Sequence, residues 1–339
     1  MKLPKFSIFA FSATALLLSA CTGLNNGENA FGGLGSKNSN NNTKYTLPDF
    51  NNLTQDQKKD FGIIPVTEKG SDYVTYGLYP QTAVTDTSLA NNIEKSGAIH
   101  SATGWYYYDN SFYAKAKCYA VKGTVFNNGT TVQTYQDYWF KCEPIRWDVL
   151  SPNISGSLLL SSLVLDSQIY YPKTIGTRLI NDVYIRPNNY EYSNVRAWLN
   201  DNFLNTAFKL DSYYLKTTTV NNGSASTGES GTNTNAGNNT NDKVFLPSRQ
   251  ELKSSAYGFV ESDSMTNIRC ARVTDWAIAQ GTFCENENGK ANGYGYYWTR
   301  SPSGKYDDAV YMVDIDGAIV TININAPEGI RPMVTLLGY

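Results

Sequence analysis

The sequence has few of the residues on which catalytic and metal sites depend. It contains one histidine, His100, and five cysteines in 339 residues, and no two cysteines have the C-x-x-C spacing of a zinc site. His100 lies in a polar stretch, 96–104, without a nucleophile elbow or an acid motif beside it. We therefore predict that the protein is not an enzyme and holds no zinc.

Charged residues are also scarce. They make up 17% of the chain, whereas about 25% is usual. The 28 basic and 30 acidic residues nearly balance, and the basic ones are scattered along the chain. A groove that follows a phosphate backbone needs clustered basic residues, so we exclude nucleic acid as a partner.

Long apolar runs are missing except at the start of the chain. Lys2 and Lys5 accompany an apolar run, 6–18, that is too short to span a bilayer comfortably. The residues 18–21, L-S-A-C, match the lipobox of bacterial lipoproteins, whose cysteine is diacylated and becomes the mature N-terminus. An ordinary secretory signal with an incidental cysteine is the alternative.

We predict that residues 1–21 are a lipoprotein signal peptide and that Cys21 is lipidated. Two or three acyl chains suffice for stable anchoring, so we expect a cell-envelope protein on the outer face of a bacterial membrane. Residues 22–70, rich in Gly, Asn and Ser, read as a flexible tether, with a short helix predicted at 53–61 near its end. Residues 71–339 then form a single domain.

Strand patterns dominate this domain. Alternation of apolar and polar residues predicts strands at 73–79, where Pro80 ends the run, and near the C-terminus at 309–315, 318–324 and 331–336. Asp316-Gly317 predicts a type I′ hairpin turn, in which both residues have positive φ. Further strands are predicted at 105–108, 112–120, 138–143, 146–150, 158–165 and 296–298, with a hairpin at 122–133.

Two helices and one long loop complete the predicted elements. The first helix runs over 194–208 with Ser193 as its cap, and the second starts at the capping box Ser248-x-x-Glu251. Between them, 221–241 has no apolar anchors, so it is either a functional loop or disordered. The fold class is therefore α+β, with mixed, mainly antiparallel sheets and long irregular loops.

Four cysteines follow Cys21: Cys118, Cys142, Cys270 and Cys284. An even number in an exported domain is typical of disulfides. We favour a Cys118–Cys142 pair across a hairpin and a Cys270–Cys284 pair that closes a short loop. Free buried thiols are the alternative.

Several ordered motifs carry a family resemblance. They are Y-G-x-Y-P-Q-T at 76–82, P-I-R-W-D-V-L at 144–150, V-R-A-W-L-N at 195–200, T-T-T-V at 217–220, N-D-K-V-F-L-P-S at 241–248, W-T-R-S-P at 298–302, A-V-Y-x-V-D-x-D-G at 309–317 and G-I-R-P at 329–332. Over roughly 73–337 the chain resembles an uncharacterised bacterial domain family found on cell-surface and lipid-anchored proteins. Its function is unknown.

The C-terminal motifs also resemble, more distantly, the C-type-lectin fold in its formylglycine-generating-enzyme variant. That resemblance implies one lectin-like domain whose two chain ends meet as neighbouring strands. It also implies an alternative function, an enzyme of the sulfatase-modifying-factor type, in which a cysteine pair near the C-terminus holds the metal. No cysteine follows Cys284, so only Cys270 and Cys284 could act as that pair.

Calcium is the one metal that lectin-like folds often hold. Asp307, Asp308, Asp314 and Asp316 could supply oxygen ligands, and D-I-D-G at 314–317 imitates the start of an EF-hand loop. No acidic residue completes that loop, and the turn explains Asp316 more simply. We therefore predict no cofactor and leave calcium unsupported.

The tyrosine content points to a binding surface. The chain has 25 tyrosines, whose rigid amphipathic rings suit ligand contact, although tyrosine is also an ordinary strand residue. Trp298, Arg300 and Arg331 are interpreted as structural. We predict a glycan or protein ligand, with a structural envelope lipoprotein as a further alternative. The predicted contact residues are Tyr294, Tyr296, Tyr306, Asn323 and Asn325.

Overall fold

The computed structural model describes residues 46–68, 71–172, 175–223, 237–287 and 290–338. The predicted signal peptide with Cys21, residues 22–45 of the tether and residues 224–236 of the long loop lie outside them. All described residues belong to one compact unit. Within these ranges no helix has the length and apolar character needed to cross a membrane.

Short helices punctuate a strand-rich chain. The helices are α1 (Gln55–Asp60), α2 (Thr87–Ser96), α3 (Asn194–Trp198), α4 (Leu204–Ala207) and α5 (Asp275–Ala279), with a π-helical segment Leu199–Phe203 between α3 and α4 and 3-10 turns at Glu251–Lys253 and Ser255–Tyr257. The first strands are β1 (Val66–Thr67), β2 (Tyr73–Ala83), β3 (Ile99–His100), β4 (Trp105–Tyr108), β5 (Ser111–Lys117), β6 (Asp137–Ser151), β7 (Ser157–Ser161), β8 (Leu163–Val164), β9 (Asp166–Ile169), β10 (Arg178–Ile180) and β11 (Val183–Ile185). The remaining strands are β12 (Thr218–Val220), β13 (Thr240–Asp242), β14 (Val244–Phe245), β15 (Arg272–Val273), β16 (Cys284–Glu287), β17 (Lys290–Gly295), β18 (Tyr297–Pro302), β19 (Ala309–Val313), β20 (Ile319–Asn323), β21 (Pro327–Ile330) and β22 (Met333–Leu336).

The long strand β6 organises a nine-stranded sheet. It pairs with β5 and β7 toward its two ends and with β2 along its middle, all antiparallel. The separate strands predicted at 138–143 and 146–150 are therefore one strand. Trp147 is buried, and its indole N–H donates to the carbonyl oxygen of Tyr76 at 2.8 Å, which ties β6 to β2.

Pro80 does not end β2, contrary to the prediction. It pairs with Cys142 of β6, and the register shifts between Pro80 and Thr82. A β-bulge at this point accommodates a residue that has no N–H to donate, so the strand continues to Ala83.

The two terminal strands of the domain share this sheet but are not neighbours. β22 pairs with β7 on one side and β14 on the other, while β2 pairs with β6. β6 and β7 therefore lie between β2 and β22. The prediction that the chain ends meet as neighbouring strands is wrong, because the hairpin from β6 to β7 occupies the intervening positions.

A five-stranded sheet with the order β20-β19-β18-β21-β9 contains the C-terminal motifs. The hairpin of β19 and β20 is confirmed, but its turn is not type I′. Of its residues only Gly317 has positive φ, at 74°. The carboxylate of Asp314 accepts N–H bonds from Asp316 at 3.0 Å and from Ala318 at 2.8 Å, so a side chain closes the turn.

The predicted helix at 194–208 is confirmed as the continuous run α3, π-helical segment and α4. Ser193 caps it, since its hydroxyl accepts the N–H of Arg196 at 3.2 Å. The capping box at Ser248 also forms, with hydrogen bonds of 2.7 Å and 3.0 Å between Ser248 and Glu251. Only two 3-10 turns follow it, because the extended backbone of Ser254 interrupts the helix.

The end of the predicted tether packs against the domain. Leu53 and Phe61 are buried on either side of α1, the short helix predicted at 53–61, and β1 pairs with β2. The domain boundary at residue 71 is therefore too late for the described residues. Mixed, mainly antiparallel sheets predominate over a few short helices, which agrees loosely with the α+β class.

The predicted disulfides are absent among these residues, and the alternative of free thiols applies. All four cysteines are free. The backbone N–H of Cys118 donates to the carbonyl oxygen of Gln136, so these two residues are neighbours. Cys142 lies six residues after Gln136. At about 3.3 Å per strand residue the two cysteines are roughly 20 Å apart, whereas a disulfide needs Cα atoms within about 7 Å. The thiol of Cys270 donates instead to the carbonyl oxygen of Ile315 at 3.2 Å.

Candidate ligand-binding site

Arg300, in the W-T-R-S-P motif of β18, is held by Glu251 from the capping box. The guanidinium is 3% exposed and makes two parallel bonds to the carboxylate, Nη1–Oε2 at 2.6 Å and Nη2–Oε1 at 2.8 Å. Nη1 also donates to the carbonyl oxygen of Leu246 at 2.7 Å. Burial acts to raise the pKa of Glu251, but Arg300 and Ser248 more than offset it, so the pKa lies below its ordinary value. The ion pair is therefore charged and rigid.

A groove of about 800 Å³ lies beside this ion pair, and we name it the Arg300 groove. One wall is β12, with the residue that follows it. The opposite wall is formed by the capping box and the two 3-10 turns. The residues that line it include Thr218, Thr219, Val220, Asn221, Phe245, Ser248, Gln250, Glu251, Lys253, Ser254, Ser255, Tyr257, Glu261 and Arg300.

The groove combines polar and apolar surface and has no strong charge of one sign. Its lining contains two basic residues, Lys253 and Arg300, and two acidic residues, Glu251 and Glu261. Hydroxyl and carboxamide groups, each able to donate and accept, make up much of its lining. Tyr257 adds a half-buried aromatic ring. Such a surface suits a neutral, hydroxyl-rich ligand better than a polyanion.

The five predicted contact residues do not form one surface. Asn323 pairs with Ala309 at one end of the β19–β20 hairpin, and Tyr306 precedes that end in the loop from β18. Tyr296 precedes Tyr297, which pairs with Val313 at the other end of β19, about 13 Å away at about 3.3 Å per residue. The five residues also lie outside the lining of the Arg300 groove.

Each of these residues already has local partners. Asn323 donates to Asp308 at 2.8 Å, and Asn325 donates to Asn323. The ammonium group of Lys305 lies 4.9 Å from the centre of the Tyr306 ring. Tyr296 stacks on Phe283 with ring centroids 5.0 Å apart. The guanidinium of Arg272 lies 5.9 Å from the ring of Tyr294. Binding by any of them remains a prediction.

The aspartates proposed as calcium ligands are dispersed. Asp314 closes its turn, Asp307 pairs with Arg186, and Asp308 accepts from Asn323. In the described part of the chain, no three His, Cys, Asp or Glu side chains group in a way that could hold a metal ion.

The remaining reactive side chains are in unreactive surroundings. Burial raises the pKa of the Cys142 thiol well above its ordinary value and that of Cys284 to about 12, which disfavours the thiolate. Burial, and secondarily Lys209, lowers the pKa of His100. Its Nδ1 lies 2.9 Å from the Thr103 hydroxyl, and its ring packs 5.3 Å from that of Phe50.

The motif residues interpreted as structural have structural contacts. The indole of Trp298 donates to the carbonyl oxygen of Gln168 at 2.8 Å, and Arg331 donates to that of Ser161 at 2.8 Å. Arg269, which no sequence pattern distinguishes, is fully buried and binds backbone carbonyl oxygens, including that of Gly317 at 2.7 Å.

No sequence pattern predicts the Arg300 groove either. Residues of three sequence motifs, T-T-T-V, the capping box and W-T-R-S-P, line this groove. The motifs are distant from one another in the chain, and only the fold brings them together.

A comparison with known protein families assigns the C-terminal half of the chain to one domain. A family model described as a domain of unknown function (DUF6273) matches residues 155–338, more than half of the chain. The matched range contains the whole Arg300 groove. No curated protein matches the chain, and no solved structure does.

Proposed function

The chain belongs to the DUF6273 family of domains of unknown function, and we propose that it is a lipid-anchored protein of the bacterial cell envelope that binds a glycan in the Arg300 groove. The location rests on the apolar run 6–18 and the lipobox cysteine, Cys21. The ligand class rests on the groove. Nucleic acid is not part of the proposal, because the basic residues are scattered and balanced by acidic ones.

The observation that carries the binding proposal is a preformed groove, lined by hydroxyl, carboxamide and aromatic groups, on a rigid base. The Arg300–Glu251 pair fixes β18 to the capping box, so the walls do not need to assemble when a ligand enters. Sugar hydroxyls both donate and accept, as do the hydroxyls and carboxamides in the lining, and a sugar C–H face can pack on Tyr257.

We propose a binding protein and not an enzyme. A sulfatase-modifying-factor activity would require Cys270 and Cys284 to act as an accessible redox pair, but Cys284 is buried and burial raises the pKa of both thiols. The further alternative, an envelope protein without a specific ligand, differs from our proposal in that the groove would bind nothing.

A relation to the C-type-lectin fold remains a hypothesis. Mainly antiparallel sheets with few helices support it, whereas the two strands between β2 and β22 argue against it. An experimental structure with the same strand order would count against the relation. Glycan binding in the groove does not depend on it.

The test is a glycan array probed with the purified, detergent-solubilised protein. We expect binding to one or more neutral glycans and its loss in Tyr257→Ala and Gln250→Ala, which change groove side chains. Tyr184→Ala, which changes an exposed tyrosine of β11 outside the groove, is the matched control. Binding that persists in both groove variants contradicts the site, and no binding to any glycan on the array contradicts the ligand class.

A further inference from the structure

A second cleft, of about 530 Å³, lies where β9 ends and α3 begins, and we name it the Trp198 cleft. It shares no lining residue with the Arg300 groove. The helix presents two distinct faces here. Val195, Leu199 and Phe203 are buried in the core, while Trp198, Asp201 and Asn202 line the cleft. These two sets alternate at the spacing of a helical turn.

Trp198 provides an aromatic wall on the polar side of this helix. The residue is half-buried, and its ring packs on that of Phe203 with centroids 5.6 Å apart at 41°. This contact with Phe203 restricts the position of the Trp198 indole. Trp198 thus packs against the core and also lines the cleft, so part of its surface is available to a ligand.

Arg178 of β10 provides a positioned donor in the same cleft. Its Nη2 donates to the carbonyl oxygen of Tyr192 at 2.5 Å, and its guanidinium lies 4.9 Å from the ring centre of Tyr171. These contacts fix the orientation of the guanidinium, which lines the cleft.

The cleft is neutral overall and rich in planar polar groups. The guanidinium of Arg178 is balanced by the carboxylate of Asp201, and Gln168, Asn194 and Asn202 add carboxamides. Planar groups of this kind can bond two neighbouring hydroxyls at once, and an indole face accepts the C–H face of a ring. The volume is in the range of small-molecule sites.

We propose that the Trp198 cleft is a second, independent binding site that takes one neutral sugar residue. Its C–H face would pack on Trp198, and its hydroxyls would bond Arg178, Asp201 and Asn202. This inference does not require the Arg300 groove to bind anything.

The test is ¹⁹F NMR of the full-length, detergent-solubilised protein labelled with 5-fluorotryptophan. Trp198→Phe identifies the Trp198 resonance as the one that disappears. The probes are the methyl glycosides of glucose, galactose, mannose, fucose, N-acetylglucosamine and N-acetylgalactosamine. We expect at least one of them to shift the Trp198 resonance in a saturable way.

Two variants that leave the helix intact locate the binding. Asn202→Ala and Asp201→Asn should each weaken the saturating sugar about tenfold, the loss expected for one good hydrogen-bonding group. Tyr257→Ala, in the Arg300 groove, should leave this titration unchanged. If no sugar shifts the resonance, or if a shift has the same midpoint in Asn202→Ala as in the parent, the proposal is wrong. Loss of the shift in Tyr257→Ala would assign the sugar to the groove.

Discussion

Glu328 is a buried carboxyl group, and we expect it to make the stability of the domain depend on pH. It lies in β21 opposite Gln168 of β9, is 7% exposed, and its Oε2 has no hydrogen-bond partner. Burial raises the pKa of Glu328 from its ordinary 4.5 to about 7. The cause is loss of water around the charged form, with no bond to compensate for it.

The sign and size of the effect follow from linkage. Below pH 4.5 the group is protonated in the folded and unfolded chains, so it does not change the free energy of unfolding. Between pH 4.5 and 7 the unfolded chain loses this proton while the folded chain retains it, and stability falls. The total loss is about 3 kcal/mol and is complete above pH 7.

Glu328→Gln removes the titration and keeps the shape of the side chain. We expect the variant to be about 3 kcal/mol more stable than the parent at pH 8 and equal to it near pH 4.5. Urea unfolding curves at a series of pH values, followed by tryptophan fluorescence, measure this difference. Asp60→Asn, which removes an exposed carboxylate at the end of α1, is the matched control and should show no such trend.

A difference between Glu328→Gln and its parent that is constant from pH 4.5 to pH 8 would refute the reasoning. It would mean that the substitution acts through packing and that the carboxyl group is solvated or paired in the folded protein.

Further perturbations test other parts of the molecule. Glu251→Ala leaves the buried guanidinium of Arg300 unpaired, so urea unfolding should show a loss of about 3 kcal/mol. Gly317→Ala should cost more than about 2 kcal/mol, since φ is positive and a Cβ would lie 2.0 Å from a backbone oxygen. Gly129→Ala, with positive φ but open space, should cost only about 1 kcal/mol in the same assay. Ellman's reagent should detect the buried Cys118, Cys142 and Cys284 only once the unreduced protein is unfolded, and a failure to detect them then would indicate disulfides. Cys21→Ser should abolish incorporation of labelled palmitate, and retained label would exclude the lipobox assignment.

Local features were the most predictable from sequence. Trp105–Tyr108 was placed correctly as a strand, and the helix that starts at Asn194 was located together with its cap, Ser193. These features depend on side-chain alternation and on hydrogen bonds between residues a few positions apart, so the information lies within one short segment. The prediction of a type I′ turn was wrong because Asp314, two residues before Asp316, closes the turn through its side chain.

Long-range features were decided by tertiary structure. The sequences of β2 and β22 predict strands, but not which strand pairs with which, so the insertion of β6 and β7 between them could not be predicted. The same holds for sites. Ser248-x-x-Glu251 was recognised as a cap, yet its second role, holding Arg300 at the base of a groove, depends on β18 packing beside it. Capping is a contact between neighbours in the chain, whereas a groove is a contact between segments that only the folded core brings together.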